Sequence, residues 1–394
     1  MILLSHPTGN ENVRQAALAL QEADLLGEFW TCLNWNPDAM LNQLLPQQLR
    51  AQLARRSFPQ SVRPYLHTAP VRELGRLLFG MFGIDAVLRN LDRKVAARLS
   101  DGTWNGVYAY EDCALESFRA AKGRAIRCIY DLPIGHWRAA QQIYREEMER
   151  QPQWAETLTG LRDSDEKLTR KEEELKLAEH VVVASSFTKQ TLRGADFTAA
   201  VSVIPYGAPT ISQREIAAHS GPLRILFAGS LGQRKGLSYL LQAVESVGRD
   251  KVELTLLGRK AAPNCEPLEA AVRRYRWIPT LPHQEVLREM QRHDVLVLPS
   301  LFEGFGLVIL EAMAQGLVVI ATPHTAAPDL IEDGVDGFIV PIRSSSAIAK
   351  IFEMLLGAPE RLREMKLASR RKAEGQRWEV YRRSLAQMAQ EVVS

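Results

Sequence analysis

Two acidic residues, Glu303 and Glu311, lie eight positions apart in a segment whose pattern could bind a ligand. Glu303 is in the glycine-rich loop FEGFG, which follows the strand-like run DVLVLPS. Glu311 is in LVILEAMA (residues 307–314), which is otherwise apolar on every side and is therefore predicted to form a buried helix. An ionised carboxylate is costly in such a place unless it is hydrogen-bonded. Glu311 is thus either a core residue satisfied by a backbone amide or an arginine, or an acceptor for the two hydroxyls of a ribose.

The loop around Glu303 has the composition of a ligand-binding turn. Gly304 and Gly306 permit backbone conformations that other residues avoid, and they let a ligand approach closely. The helix is predicted to begin near Gly306 or Leu307, where free N–H groups and the helix dipole favour an anion. Together these features favour a binding site at the carboxyl end of a buried strand.

A second candidate anion site lies in residues 223–245, LRILFAGSLGQRKGLSYLLQAVE. A predicted strand runs into Gly229 and Ser230, and Arg234 and Lys235 stand just before the next helix. Arg234 offers a planar fork of donors and Lys235 a point charge, which together suit a diphosphate. Two basic residues on a surface loop are the alternative, but a position at a strand's carboxyl end and a helix start favours binding. The spacing is neither that of a P-loop nor that of a dinucleotide fingerprint, which argues against a dehydrogenase.

These two motifs resemble those of the GT4 family of retaining glycosyltransferases. The segment PS…EGFGL…EAMA matches the E-x7-E motif of that family together with its flanks, and residues 229–236 resemble its G…KG segment. Leu317 departs from the family, which often has Pro or Lys there. The resemblance implies that Arg234 and Lys235 contact a donor diphosphate, that Glu303 holds a hydroxyl of the donor sugar and that Glu311 holds the ribose. The implied donor-binding set is Gly229, Ser230, Arg234, Lys235, Glu303, Gly304, Phe305, Gly306, Leu307 and Glu311.

The resemblance also implies the reaction. A sugar would pass from an NDP-sugar, with UDP or GDP as the nucleotide, to an acceptor hydroxyl with retained configuration and by a front-face mechanism. Fixed cations and helix amides would stabilise the charge that develops on the β-phosphate, so no metal ion and no cofactor is required. Two alternatives stay open: an enzyme similar to NDP-sugar 2-epimerases, and a non-catalytic nucleotide-sugar sensor or scaffold.

Short apolar strands alternate with longer helical segments, which indicates an α/β protein with parallel sheets. Strands are predicted at 2–5, 106–110, 127–130, 180–184 and 201–205, and then at 223–228, 253–258, 276–280, 294–299, 318–321 and 337–340. The resemblance implies the GT-B fold, in which two Rossmann-like domains face a central cleft. We expect an acceptor-side domain over 1–208, a donor domain over 221–375, and a C-terminal helix (376–394) that crosses back to the first domain.

Several residues of the first half are candidates for the cleft because they follow predicted strands. Gly9 and Asn10, with His6, follow the first strand, and Glu111 ends the strand before Arg127. GT4 members often carry a histidine after the strand that here spans 127–130. Asp131 occupies that place and His136 is displaced by several residues, so either could take the role, or neither. The catalytic candidates are therefore Arg234, Lys235, Glu303, Asp131 and His136, whereas His283 fits an ordinary loop histidine at a helix start.

Charge and composition limit the partners. The net charge of +3 gives no reason to expect nucleic acid, and four scattered cysteines form no metal or disulfide framework. A cytoplasmic protein is the expectation, because the apolar run at the amino terminus, MILLSHPTGN, is too short for a secretory signal and no basic region precedes it. Residues 41–100 carry ten basic and three acidic residues on predicted helices. This region is either a packed face with solvated arginines or a patch for a peripheral membrane contact. The acceptor could be a small molecule, a glycan or a lipid-linked species.

Overall fold

The computed structural model describes residues 1–36, 53, 56–216 and 221–394, and its two sheets are parallel throughout. The first sheet contains β1 (Ile2–Ser5), β2 (Leu26–Thr31), β3 (Leu66–Thr68), β4 (Gly106–Tyr110), β5 (Arg127–Leu132), β6 (His180–Val183) and β7 (Ala200–Val203). Its order is β3-β2-β1-β4-β5-β6-β7. The second contains β8 (Leu223–Ala228), β9 (Val252–Leu257), β10 (Arg276–Ile278), β11 (Val295–Leu298), β12 (Val318–Ala321) and β13 (Gly337–Ile339). Its order is β10-β9-β8-β11-β12-β13.

Helices connect the strands and cover both sheets. In chain order they are α1 (Glu11–Glu22), α2 (Pro70–Phe79), α3 (Ile84–Ser100), α4 (Leu115–Lys122), α5 (Trp137–Arg150), α6 (Asp165–Leu177), α7 (Ser186–Thr191), α8 (Leu237–Val247), α9 (Glu266–Arg274), α10 (His283–Met290), α11 (Val308–Ala314), α12 (Ala327–Leu330), α13 (Ser345–Leu356), α14 (Pro359–Glu374) and α15 (Trp378–Val393). The central strands, such as β1, β11 and β12, are buried on both faces and read as continuous apolar runs.

Each sheet reverses its strand order at one place, and the candidate loops lie there. In the first sheet β1 lies between β2 and β4, and in the second β8 lies between β9 and β11. Ligands of open α/β sheets bind beside the carboxyl ends of strands at such switch points. Gly9 and Glu111 follow the two switch-point strands of the first sheet, and Arg234 and Glu303 follow those of the second.

The sequence analysis was incomplete in the first sheet. It predicted no strand at β2 or β3 and treated residues 40–100 as mostly helical. β2 reads LGEFWT, in which a glycine and a glutamate interrupt the apolar pattern, and β3 is only three residues long. Helices α2 and α3 agree with the helical prediction, whereas most of the predicted helix LLPQQLRAQLARR (44–56) lies outside the described residues.

The charged stretch 138–178 does not form one continuous helix. It is broken after α5 by the 3₁₀ segments Pro152–Thr157 and Thr159–Leu161, and α6 then follows. Arg170 and Glu174 of α6 are buried and paired at 3.1 Å. The Glu174 carboxylate accepts hydrogen bonds from the backbone N–H of Ala114 at 3.1 Å, next to the start of α4. Some charged residues of this stretch are therefore buried and connect α6 to the start of α4.

Two helices cross between the halves of the molecule. The C-terminal helix α15 packs on α1, where Arg382 bonds Glu22 at 2.9 Å and Gln15 at 2.7 Å, which confirms the predicted return to the first sheet. In the opposite direction, the segment after α5 carries Trp154 into the core beneath the second sheet. Each half therefore completes the packing of the other.

Candidate functional site

A buried cluster of charges joins the two loops at the switch point of the second sheet. Lys235 Nζ forms a short ion pair with Glu303, and Arg234 Nη1 lies 3.2 Å from Glu303 Oε2 and donates to the Phe302 carbonyl at 3.0 Å. Burial alone would raise the pKa of Glu303, but the two cations lower it below its usual range. The structure therefore holds an ionised carboxylate and two cations together, as the motifs indicated.

Two glycines explain how these loops come so close. Gly236 has a φ of 68°, and a side chain there would meet the carbonyl oxygen of Pro299 at 2.0 Å. A Cβ at Gly304 would lie 1.9 Å from the Pro133 carbonyl, so the loop rests directly on the segment after β5. The Gly304 carbonyl accepts hydrogen bonds from the hydroxyls of Ser185 and Thr188. The loop that carries Glu303 is thus fixed by the first half of the chain as well as by its own sheet.

Glu311 has a different environment, although it is only eight positions further along the chain. Its helix α11 begins at Val308 and is otherwise mostly buried, as predicted, but the Glu311 side chain is 19% exposed. Its Oε1 lies 2.9 Å from His283 Nε2, and this bond raises the pKa of His283. The expectation of an unremarkable loop histidine at position 283 overlooked this partner, because nothing in the sequence links two residues 28 positions apart.

Glu311 and His283 face the first half of the chain across a cavity of about 440 Å³. The opposite side is the turn after β1, with Gly9, Asn10 and Arg14. The Asn10 side chain also accepts a hydrogen bond from the Val13 N–H at 3.3 Å, which caps α1. The structure therefore brings both predicted residues of this turn to the cleft, opposite Glu311.

Asp131 is buried beneath the cleft among tyrosines. The Tyr108 hydroxyl donates a hydrogen bond to Asp131 Oδ2 at 2.6 Å. The buried Tyr110, Tyr206 and Tyr381 lie close enough to interact electrostatically with the Asp131 carboxylate. Burial raises the pKa of Asp131 to about 7. Tyr206 in turn packs on Phe305, with ring centroids 5.0 Å apart. Asp131 is thus an internal group that joins the first sheet to the loop of Glu303.

The other candidates of the first half pair with helices. His136 Nε2 lies 3.1 Å from Glu172 on α6, and burial lowers the pKa of this histidine. Glu111 lies 3.3 Å from Lys171, and burial raises the pKa of Glu111 to about 7. Burial lowers the pKa of His6 to about 4. Neither His136 nor Glu111 lines the cavity between Gly9 and Glu311.

The remaining candidates surround the charge cluster. Gly229 has a φ of 141°, and a Cβ there would lie 3.4 Å from Lys235 Cε, while Ser230 is exposed. Gly306 has a φ of 84°, which allows the turn into α11. Phe305 is buried and Leu307 is half-buried. Among the residues that the structure describes, no cluster of three or more acidic, histidine or cysteine side chains could hold a metal ion.

A supporting residue was missed in the sequence. Glu147 of α5 is fully buried and accepts hydrogen bonds from Gln233 at 2.6 Å and from the Tyr239 hydroxyl at 2.8 Å. The Glu147 carboxylate also accepts a hydrogen bond from Arg343 Nε at 2.7 Å. Gln233 directly precedes the two cations, so Glu147 anchors their loop to a helix from the first half. An isolated glutamate on a charged helix gave no signal of this contact.

Comparison with known proteins supports the assignment of the second half. Residues 222–357 match the family model described as Glycosyl transferases group 1. A relative, the amylovoran biosynthesis glycosyltransferase AmsK of Erwinia amylovora, is 31% identical over 39% of this chain, and the match spans 40% of AmsK. Sequence similarity is thus confined to a part of each protein.

Similarity of structure extends over the whole chain. Sucrose-phosphate synthase from Thermosynechococcus elongatus superimposes with a TM-score of 0.69 at 18% identity and covers 99% of this chain and 98% of its own. HepE of Anabaena in complex with UDP-glucose gives 0.64 at 16% identity, with 99% of both chains covered. The chain therefore has the GT-B fold. The match of residues 222–357 to the Glycosyl transferases group 1 model confirms the resemblance seen in the motifs.

Proposed function

We propose that this protein is a retaining glycosyltransferase that moves a sugar from an NDP-sugar to an acceptor hydroxyl without a metal ion. One observation carries the proposal: Arg234 and Lys235 converge with Glu303 at the switch point of the second sheet. A diphosphate needs fixed cations, and a sugar hydroxyl needs a fixed acceptor. The family of residues 222–357 and the names of the relatives support the same reaction class.

In the proposed reaction the bond between the sugar's anomeric carbon and the β-phosphate oxygen breaks. The acceptor oxygen forms the new bond on the same face, and its proton passes to the departing phosphate. Negative charge therefore grows on the phosphate, where Arg234 and Lys235 stabilise it. In the structure both cations are paired with Glu303, so donor phosphates would compete for them. Glu303 would then be released to accept a hydroxyl of the sugar.

Glu311 is the proposed ligand for the ribose. It faces the cleft, and its present partner His283 is more exposed, so a ribose diol could replace that contact. The bound complexes of HepE with UDP and with UDP-glucose make UDP the first nucleotide to test. GDP is the second nucleotide of the proposal.

We place the reaction in the cytoplasm. The four cysteines are buried and unpaired, which suits a reducing compartment. Among the described residues, no helix is both long enough and apolar enough to cross a bilayer.

The test is a panel of UDP- and GDP-sugars, first by thermal shift and then in assays of hydrolysis and transfer. We expect one donor to raise the melting temperature and to transfer its sugar with retained configuration in the presence of EDTA. Turnover of the donor to its epimer without any acceptor would instead indicate a 2-epimerase. Binding by none of the donors would overturn the proposal.

A further inference from the structure

Helix α5, which belongs to the first half of the chain, contacts both loops of the charge cluster from one face. Tyr144 and Glu147 are three positions apart on α5 and therefore lie on the same side of the helix. Tyr144 packs edge-on against the ring of Phe302, with centroids 5.9 Å apart, and Phe302 directly precedes Glu303. Glu147 bonds Gln233, which directly precedes the two cations. One turn of a helix from the first half thus touches both loops of the second sheet.

The side chain of Gln233 is fully buried, and each of its polar atoms has a partner. Its Nε2 donates to Glu147 at 2.6 Å and to the Ser238 hydroxyl at 2.7 Å. Its Oε1 accepts a hydrogen bond from the Ser238 N–H at 3.3 Å. Its backbone N–H donates to the buried Thr157 hydroxyl at 2.9 Å. A buried amide whose donors and acceptor are all satisfied has one orientation, so the position of Gln233 is fixed.

The fixed glutamine begins the turn that carries the cations. Residues 233–235 form a single 3₁₀ turn, in which the Gly236 N–H donates to the Gln233 carbonyl at 2.8 Å. Arg234 and Lys235 are the other two residues of this turn. Because the turn is short and closed by its own hydrogen bond, a shift of Gln233 would move both cations with it.

Glu147 is in turn held by a cation of its own. Arg343 Nε donates to Glu147 Oε2 at 2.7 Å, and the Tyr239 hydroxyl donates to the other oxygen at 2.8 Å. The same guanidinium reaches Glu146 at 2.9 Å and the Ile143 carbonyl at 3.2 Å. Arg343 has a φ of 63°, a conformation that residues with a side chain rarely adopt and that persists only where the surroundings enforce it. Both oxygens of the buried carboxylate are therefore paired.

We infer that Glu147 is a positioning residue for the transfer reaction. It would hold the turn of Arg234 and Lys235 at the place where the diphosphate of a donor needs them, and it would act through Gln233. The inference rests on the proposed function and adds a residue to it. Donors that stabilise a developing charge must be fixed before the reaction, and a displacement of about 1 Å can lower a rate roughly a hundred-fold.

Stability alone does not account for this buried ion pair. Apolar side chains of similar volume often stabilise a protein as well as a buried pair of charges does. The pair of Glu147 with Arg343 instead fixes a direction, because its remaining acceptor oxygen is aimed at Gln233. An apolar residue at position 147 could fill the same space but could not orient the cationic turn.

Transfer kinetics of Glu147→Met test the inference, because methionine fills a similar volume without a carboxylate. With the UDP- or GDP-sugar that the wild type turns over, kcat should fall about ten- to a hundred-fold, while KM for the donor changes far less. Rates are divided by the number of nucleotide-binding sites that calorimetry finds, so unfolded protein is not counted. Glu146→Met is the matched control and should keep its kcat, because Glu146 bonds the same arginine at the exposed side of α5.

A second variant keeps the test valid if Glu147→Met does not fold. Gln233→Met breaks the same contact from the loop and leaves Glu147 with Arg343 and Tyr239, so kcat should fall by a similar factor. Combination with Lys235→Ala separates positioning from general support. If Glu147 acts through the cations, Glu147→Met should lower kcat far less in the Lys235→Ala background than in the wild type.

Three results would overturn the inference. They are an unchanged kcat in Glu147→Met or Gln233→Met, an equal loss of kcat in Glu146→Met, and the same fold-loss from Glu147→Met with and without Lys235. Each of them leaves the transferase proposal intact, because the wild type still transfers the sugar. A wild type that transfers no sugar from any donor of the panel overturns the proposed function, and the positioning role with it.

Discussion

The carboxyl edges of the two sheets bury ionisable side chains to a similar degree, yet they hold them in different charge states. At the second sheet, Glu303 is buried with two cations, and its pKa is lowered. At the first sheet, burial raises the pKa of Asp131 and Glu111 to about 7 and lowers that of His6 to about 4. Glu303 is therefore ionised at neutral pH, whereas Asp131 and Glu111 have pKa values near 7 and are partly protonated there.

The difference shows that burial alone does not set the charge of a site. Two cations outweigh the burial of Glu303, whereas the single Lys171 beside Glu111 does not offset the burial of that carboxyl, and Asp131 is surrounded by tyrosines. The ionised edge can therefore stabilise the charge of a departing diphosphate. The edge of the first sheet carries less negative charge than fully ionised carboxylates would give it. It can therefore position a substrate by hydrogen bonds with less electrostatic repulsion of the phosphate.

The largest effect is expected at Asp131, and it depends on pH. Between its ordinary pKa of 3.8 and about 7 the native state keeps a proton that the unfolded state has released. Stability therefore falls as the pH rises through this window. At ~1.4 kcal/mol per pKa unit, the loss is on the order of 4 kcal/mol. Urea unfolding at pH 4 and pH 8 should show this fall in the wild type and a much smaller one in Asp131→Asn.

Asp294 is the matched control for Asp131. Burial opposes its ionisation, but Arg224 and Lys366 lower its pKa to about 2. Its contribution is therefore present above pH 3.8 and is lost only as the pH falls toward 2. Asp294→Asn should reduce stability at both pH 4 and pH 8. A similar pH response in the two variants would refute the raised pKa assigned to Asp131.

The next largest effect is expected at Lys235. Removing one donor that stabilises a developing negative charge costs about 10²–10³-fold in kcat. Lys235→Ala should lower transfer by this factor while the protein stays folded by circular dichroism. Lys350→Ala changes an exposed lysine of α13 and serves as the control. Full activity in Lys235→Ala would show that the ionised edge has no catalytic role.

A smaller effect is expected at Glu311, which is less buried and lies outside the cation cluster. Loss of a bond between a carboxylate and a ribose costs ~1.5–3 kcal/mol, or roughly ten- to a hundred-fold in Kd. Glu311→Ala should raise the Kd for the donor by this factor in calorimetry. Glu353→Ala, at an exposed position of α13, should leave the Kd unchanged. An unchanged Kd in Glu311→Ala would show that Glu311 does not bind the ribose. It would not affect the proposal that Arg234 and Lys235 contact the phosphates.

The second sheet was predictable because its signals are local. All six of its strands were predicted, and the two cations and Glu303 follow the ends of their strands by five to seven positions. In the first sheet, β2 and β3 lack an apolar run, so their strand character depends on partners in the sheet. Tertiary context overrides such weak local preferences.

Long-range contacts explain the site residues that the sequence could not reveal. Gln233 bonds Glu147, 86 positions away, and the tyrosines near Asp131 come from β4, the connection after β7 and the last helix. No periodicity or spacing encodes such partners. The motifs predict which residues would contact a ligand, and that stays a prediction, whereas the groups that hold these residues in place emerged only from the structure.

The exchange of packing elements between the halves limits how the polypeptide can be divided. A cut in the connection near residue 209 would leave the second sheet without Trp154, whose ring fills its core, and without Glu147, which anchors its cationic loop. The same cut would separate α1 from α15, which packs on it and bonds it through Arg382. Each fragment would lack part of its core or packing. We therefore regard the molecule as one cooperative folding unit and not as two separable domains joined by a linker.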